Sequence, residues 1–396
     1  MNEWWSTKLG EVATIKHGWP FKSEYLTDQC TGNPIVVGIG NFKYNGGFRF
    51  DETIRREYTG KYPDEYLLSA GDILLIMTCQ TEGGEILGIP GIIPCDGRSY
   101  LHNQRLGKVV INKPEKVNQR FLYWYFLTKE FNYQLVGSAS GTKIVHTAPT
   151  RIEACDISLP PLAEQEVIAA VLSSLDDKID LLHRQNRTLE AMAETLFRQW
   201  FVEEIQEDWG ARPLSSIANF LNGLACQKYP PENELEKLPV LKIRELSSGI
   251  SEASDWATSN VKSEYLVEAG DVIFAWSASL MVKVWDGERC VLNQHLFKVT
   301  SDEFPKWFYL MWCKHHLAEF ISISSSHATT MGHIKRGDLD AAMVSVPSPD
   351  ELETMSVQMA PLLDKQIVNA KQIHILEKLR DSLLPKLMSG EVRVSF

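Results

Sequence analysis

LPPLAEQEVIAAVLSSLDDKIDLLHRQNRTLEAMAETLFRQWFV, residues 159–202, is where the periodicity of the chain changes. Before it, apolar residues come in short runs broken by Gly, Pro, Asn and Asp. Ile35-Val-Val-Gly-Ile39, Ile73-Leu-Leu-Ile76 and Lys108-Val-Val-Ile111 are examples, and they read as strands. After Pro160 a different order sets in. Ile168, Leu172, Leu175, Ile179, Leu182, Asn186, Leu189, Ala193, Leu196 and Trp200 alternate spacings of four and three. A seam kept up for about five heptads is the pattern of a coiled-coil helix. It predicts a helix over 163–202, ~60 Å long at 1.5 Å per residue. Asn186 is the polar member of the seam and suits a register-setting role, at some cost in stability. Glu164 and Glu166 suit the positive end of the helix dipole.

Working outward, the same plan occurs twice. Leu9-Gly-Glu-Val12-Ala13 followed by Gly18 returns as Leu214-Ser-Ser-Ile217-Ala218 followed by Gly223. Ala70-Gly71-Asp72-Ile73-Leu74 matches Ala269-Gly270-Asp271-Val272-Ile273. Leu101-His102-Asn103-Gln104-Arg105-Leu106 matches Leu292-Asn293-Gln294-His295-Leu296, with one residue fewer. The aromatic runs 121–126 and 307–312 correspond, as do Ser158-Leu159-Pro160 and Ser345-Val346-Pro347. Landmarks in one order, roughly 190–205 residues apart, mean two copies of one unit. The second helix is therefore expected over 350–388, at a constant offset of 187. Its seam is poorer: Met355, Met359, Leu362, Gln366, Asn369, Ile373, Leu376, Arg380, Leu383 and Leu387. Leu363, Ile367 and Ala370 make its apolar face drift. Two such stripes are best satisfied by antiparallel packing on each other.

The expected fold class is α+β: two pseudo-repeated mixed α/β domains separated by two long antiparallel coiled-coil helices. The expected segments are 1–157, a first domain; 158–207, the first helix region; 208–345, a second domain; and 346–396, the second helix region and tail. At 396 residues the chain is too long for one ordinary core. Its 44% apolar and 23% charged content suits a soluble globular protein. Met1-Asn2-Glu3-Trp4-Trp5 lacks the basic start and apolar core of a signal peptide. Cys30, Cys79, Cys95, Cys155, Cys226, Cys290 and Cys313 are scattered singly, without a CxxC pair. They read as reduced thiols, neither a disulfide frame nor a zinc site, and the expected location is the cytoplasm.

Net charge is −11, which at first argues against nucleic acid. Residues 151–207 alone hold 5 Lys+Arg against 12 Asp+Glu, whereas 1–150 are nearly balanced. The acid sits mainly on the first helix, so DNA binding remains open, with few phosphate contacts of the chain's own. Enzyme motifs are missing. Gly137-Ser-Ala-Ser-Gly141-Thr142-Lys143 has its Thr and Lys in the wrong order for a phosphate loop. No HExxH, GxSxG or GxGxxG occurs, nor the Asn/Asp-Pro-Pro-aromatic tetrapeptide of an amino-methyltransferase.

The collected motifs resemble one family, the specificity subunits of Type I restriction–modification systems. The resemblance lies in Leu159-Pro-Pro-Leu-Ala-Glu-Gln165, in Leu196-Phe-Arg-Gln-Trp-Phe201, and in Leu383-Leu-Pro-Lys-Leu-Met-Ser-Gly-Glu391. The second copy of the first motif is degraded to Pro347-Ser-Pro-Asp-Glu-Leu352. The resemblance implies a non-catalytic subunit in which each domain reads half of a split DNA target. It implies two methyltransferase subunits docked on the helices, methylating adenine N6 with S-adenosylmethionine. It also implies a restriction (translocase–nuclease) subunit where cleavage with ATP and Mg occurs. No cofactor is expected on this chain itself. The alternative is a coiled-coil protein scaffold that does not read DNA.

Candidate DNA contacts are Lys22, beside Trp19 and Phe21 in an aromatic, basic loop, and two donor-rich glycine-containing stretches. The first, 137–151, holds Ser138, Ser140, Thr142, Lys143, His146 and Arg151. The second, 324–336, holds Ser325, Ser326, His327, Thr329, Thr330, Lys335 and Arg336. Such donors suit base edges and phosphates; a solvated loop before each helix is the bland alternative. Asn103-Gln104 and Asn293-Gln294 recur, and could read adenine or support the scaffold. The aromatic runs read as core, His17 and His102 have no ligand spacing, and no metal site is expected.

Overall fold

The structure is a computed structural model that describes residues 4–81, 83–141, 144–326 and 332–394. It divides into two compact units, Met1–Asp176 with Leu379–Phe396, and Asp177–Lys378. Each unit is a mixed α/β domain packed on a stretch of both long helices.

In the first unit a four-stranded antiparallel sheet runs in the order Ala13–His17, Leu106–Ile111, Ile73–Ile76, Pro90–Ile92. The second unit repeats it as Asn219–Asn222, Leu296–Thr300, Val272–Ala275, Met281–Val284. A second sheet in each unit contains one parallel pair, Ile35–Val36 with Tyr100–Leu101 and Lys237–Leu241 with Cys290–Leu292. Each domain is closed by a short antiparallel pair between its ends. Trp5–Lys8 pairs with Asp156–Leu159, and Gly210–Pro213 with Met343–Val346.

The sequence landmarks have physical causes. In Ala-Gly-Asp the glycine takes a positive φ, 89° at Gly71 and 106° at Gly270, which favours glycine. The aspartate then caps the turn and binds a lysine on the neighbouring strand: Asp72 with Lys108 at 2.6 Å, Asp271 with Lys298 at 2.7 Å. A Cβ on Gly18 would lie 2.1 Å from the carbonyl oxygen of Asn103, and one on Gly223 lies 2.3 Å from that of Asn293. The aromatic runs are core, as expected. Phe121 to Phe126 and Trp307 to Trp312 are all buried. Trp124 and Trp307 donate their indole N–H to Ser173 and Ser356 on the following long helix, at 3.0 and 2.9 Å.

The long helices are Leu162–Arg198 and Pro349–Ser389, about 55 and 60 Å long at 1.5 Å per residue. The first runs on without a break to Glu203, its last turn, Gln199–Glu203, being π-helical, so the helix expected over 163–202 is present. The second ends at Gly390, whose φ of 76° is a left-handed stop. In the second unit Ile179 and Leu182 pack with Ile373 and Leu376, and Asn186 meets Gln366 and Asn369. Further along the first helix, Ala193, Leu196 and Phe197 share a cluster with Met359, Leu362 and Leu363. Position rises on one helix as it falls on the other, so the pairing is antiparallel. The first unit pairs the same way: Ile168 and Leu172 lie with Leu383, Leu387 and Met388, and Asp176 binds Arg380 at 2.8 Å. Every seam residue from Ile168 to Trp200 and from Met355 to Leu387 is buried or half-buried, including Leu175, Leu189 and Leu196. Leu363 is buried too, where the second seam drifts.

Glu164 lies in the first turn of its helix, where an acid suits the dipole, and it has a second partner besides. It is 1% exposed and forms a bidentate pair with Arg393, at 2.5 and 2.6 Å. Gln165, fully buried, bonds Asn118, Lys116 and Pro160. In the degraded second motif Glu351 takes the first role, accepting from the Trp209 indole at 3.2 Å and from Ser348.

Candidate nucleic-acid interface

The candidate DNA contacts lie on the α/β domains, outside the helix seams. Lys22 is exposed at the start of the one-turn helix Ser23–Tyr25, 3.8 Å from Glu24. Its aromatic neighbours are scaffold, Trp19 against Tyr66 at 5.2 Å and Phe21 against Tyr58 at 4.8 Å.

The stretch 137–151 is not one loop. Gly137 and Ser138 finish the helix Lys129–Ser138, where the Ser138 hydroxyl bonds its own helix, and Arg151 lies in the helix Pro149–Glu153. What remains folds back on itself: Ser140 and His146 exchange both backbone bonds, at 3.0 and 2.8 Å. Arg151 donates to the Ser140 hydroxyl at 3.1 Å, and Thr78 Oγ1 lies 3.1 Å from His146 Nδ1. Ser140, His146, Arg151 and Thr78 thus form one polar cluster, with Ser140 and His146 exposed. Thr142 and Lys143 lie outside the described residues.

In the second unit Ser325 is near the end of the helix Leu317–Ser326, so this stretch also opens helical, not as a loop. Lys335 and Arg336 are exposed at the start of the helix Arg336–Ala341. His327, Thr329 and Thr330 lie outside the described residues.

The backbone bonds of the two repeats correspond along one edge that the sequence alone did not single out. Met77 bonds the carbonyl of Arg105 at 3.0 Å, and Trp276 that of His295 at 3.4 Å. Thr147 bonds Met77, and Ile334 bonds Trp276, each at 3.0 Å. His17 pairs with Gly107, and Asn222 with Phe297. His17, Met77, Thr78, Arg105 and His146 of one copy therefore correspond to Asn222, Trp276, Ser277, His295 and His333 of the other. The backbone is kept and the chemistry changes. Trp276 stacks on Phe297 at 5.6 Å and donates to Asn222 at 3.1 Å, while Ser277 Oγ lies 3.2 Å from His295 Nδ1. One clue was legible: His146 and His333 lie 187 residues apart, the offset of the helices.

Asn103 and Asn293 support the scaffold. Their side-chain oxygens accept the N–H of Arg105 and His295, at 3.0 and 3.3 Å. His102 is buried, its Nε2 2.8 Å from the carbonyl of Leu106. Burial holds its pKa down at about 4. Burial also pushes the thiols of Cys290 and Cys313 up, which makes poor nucleophiles of them. Among the described residues no cluster of three His, Cys, Asp or Glu could hold a metal ion. Nor is any described helix long and apolar enough to cross a membrane.

A family model, the Type I restriction modification DNA specificity domain, matches residues 1–191 and again 206–381. The chain belongs to that family. The duplicated match has the period of the internal repeat. Among relatives, it is 27% identical over 303 residues to the MjaIX specificity subunit of Methanocaldococcus jannaschii, covering 70% of each chain. It is 18% identical to the HindI specificity subunit of Haemophilus influenzae, over 89% of this chain and 98% of that one. The fold matches the crystal structure of a Type I S subunit from M. genitalium, with a TM-score of 0.62, 15% identity, and 97% and 96% of the two chains covered.

Proposed function

We propose that this chain reads a bipartite DNA target, one half with each α/β domain, and docks two methyltransferase subunits on its long helices. The observation that carries the reading is the repeat itself: one scaffold built twice, with different side chains at the same edge. Two readers of unlike half-sites need that combination. Two such readers in one chain suit major-groove half-sites about one helical turn apart, ~34 Å.

On this reading the chain performs no chemistry and works in the cytoplasm. The partners bind S-adenosylmethionine and methylate adenine N6; a restriction subunit, where it joins, adds ATP- and Mg-dependent cleavage. Lys22, Lys335 and Arg336 are assigned to phosphates. Ser140, Thr142, Lys143, His146, Arg151, His327, Thr329 and Thr330 are assigned to further contacts with the DNA. The net charge of −11 leaves most phosphate neutralisation to the partners.

The test is methylation-aware sequencing of DNA from cells that co-express the chain with its methyltransferase. A split motif, marked on adenine in both strands, is expected. A continuous motif contradicts the reading. A stable complex that leaves no mark points to a protein scaffold instead.

A further inference from the structure

We propose that Arg105 is a base-reading side chain of the first unit, specific for a guanine in one half-site, with His295 holding the equivalent place in the second. The inference rests on the DNA-reading function proposed above and adds the residue and the base.

The backbone at this point is held from several sides, and alike in both copies. The Asn103 carboxamide accepts the N–H of Arg105, as Asn293 accepts that of His295. Gln104 N–H bonds the carbonyl of Trp19 at 3.0 Å, as Gln294 bonds Leu224 at 2.8 Å. Gly18 and Gly223 let the facing strand approach the turn more closely than any Cβ permits. The Asn side chain and the Gln backbone N–H hold the turn in both copies. The variable in Asn-Gln-X-Leu is X, a guanidinium in one copy and an imidazole in the other.

Arg105 is exposed, and among the described residues its guanidinium makes no hydrogen bond or ion pair. Arg98 and Arg151 in the same unit are committed, to Asp96 and to Ser140. All five donors of Arg105 are thus available on a backbone that is already ordered. A planar fork so placed matches the O6 and N7 acceptors of guanine in the major groove. Pre-ordering lowers the entropy lost on binding. Backbone bonds lead from Arg105 through Met77 to Thr147, so Arg105 shares one edge with Thr78 and His146. His295 is packed differently, its ring 6.0 Å from that of Trp276, and does not offer the same fork.

The experiment measures binding by the full complex of the chain and its methyltransferase, with S-adenosylmethionine present. The DNA set is its methylated motif and every single-base change in it. Wild type should discriminate against loss of one guanine in one half-site. Arg105→Ala should lower that discrimination by about ten- to a hundredfold at that base pair. The other half-site should be read as before, and Arg105→Lys should not restore the lost base preference. Unchanged discrimination at every position overturns the assignment. So does equal weakening on all sequences with a shallower salt dependence, which marks a phosphate contact. A misfolded Arg105→Ala is recognised by altered reading of both half-sites; Arg105→Gln, of similar length, then decides, with the same two outcomes. If wild type selects no sequence at all, the DNA-reading function fails and this inference with it.

Discussion

Gly18 and Gly223 show how a single atom can fix a repeat. Alanine at Gly18 would drive a Cβ to 2.1 Å from a backbone oxygen that cannot rotate away. Gly18→Ala should therefore destabilise the first unit by about 3 kcal/mol, read from denaturant unfolding. Gly137→Ala is the control. A Cβ there meets nothing within 4 Å, so the change should be neutral or stabilise by up to about 1 kcal/mol. His102 makes a pH prediction. Its folded pKa of about 4 lies below the ordinary value of 6.5 because burial disfavours the cation. Between those values the unfolded chain takes up a proton that the folded chain refuses. Stability should fall as pH drops from 6.5 towards 4, by up to about 3 kcal/mol. His102→Gln should flatten that part of the pH profile; an unchanged slope would place its cause elsewhere.

At the scale of elements, the seam was the most legible feature, because heptad spacing reports burial directly. The second helix was harder to read. Pro361 and Pro385 lie inside it, and propensity alone would end a helix at either. Apolar neighbours override them, since Met359, Leu363 and Leu387 are buried. The roles of Glu164 and Gln165 were not legible beyond a motif. Their partners Arg393, Asn118 and Lys116 are far away in sequence, and no periodicity reports such a pairing. In the donor-rich stretches Gly137, Ser138 and Ser325 belong to helix ends, which their residue types disguise. The edge shared by the two copies was not singled out because it is assembled from four separate segments. The polar knot between the helices makes a prediction. Asn369 is fully buried and donates to Asn186 at 2.9 Å. Asn186→Leu should cost about 1–3 kcal/mol by leaving that amide only its long contact with Gln185, at 3.4 Å. Adding Asn369→Leu should recover most of the loss, since apolar residues of that size suit the seam. A thermal-unfolding cycle over the four proteins checks this; additive losses would mean the two amides do not act as a pair.

At the scale of the whole molecule, the account is that of one reader built twice. If each α/β domain reads one half-site independently, the halves should be exchangeable within the chain. The most direct measurement is methylation mapping with a chain in which residues 208–345 are replaced by a second copy of the first domain. The account predicts a symmetric motif, both halves being the original first half-site in inverted orientation. A motif that retains the original second half would contradict it, because the replaced domain would then not have been its reader.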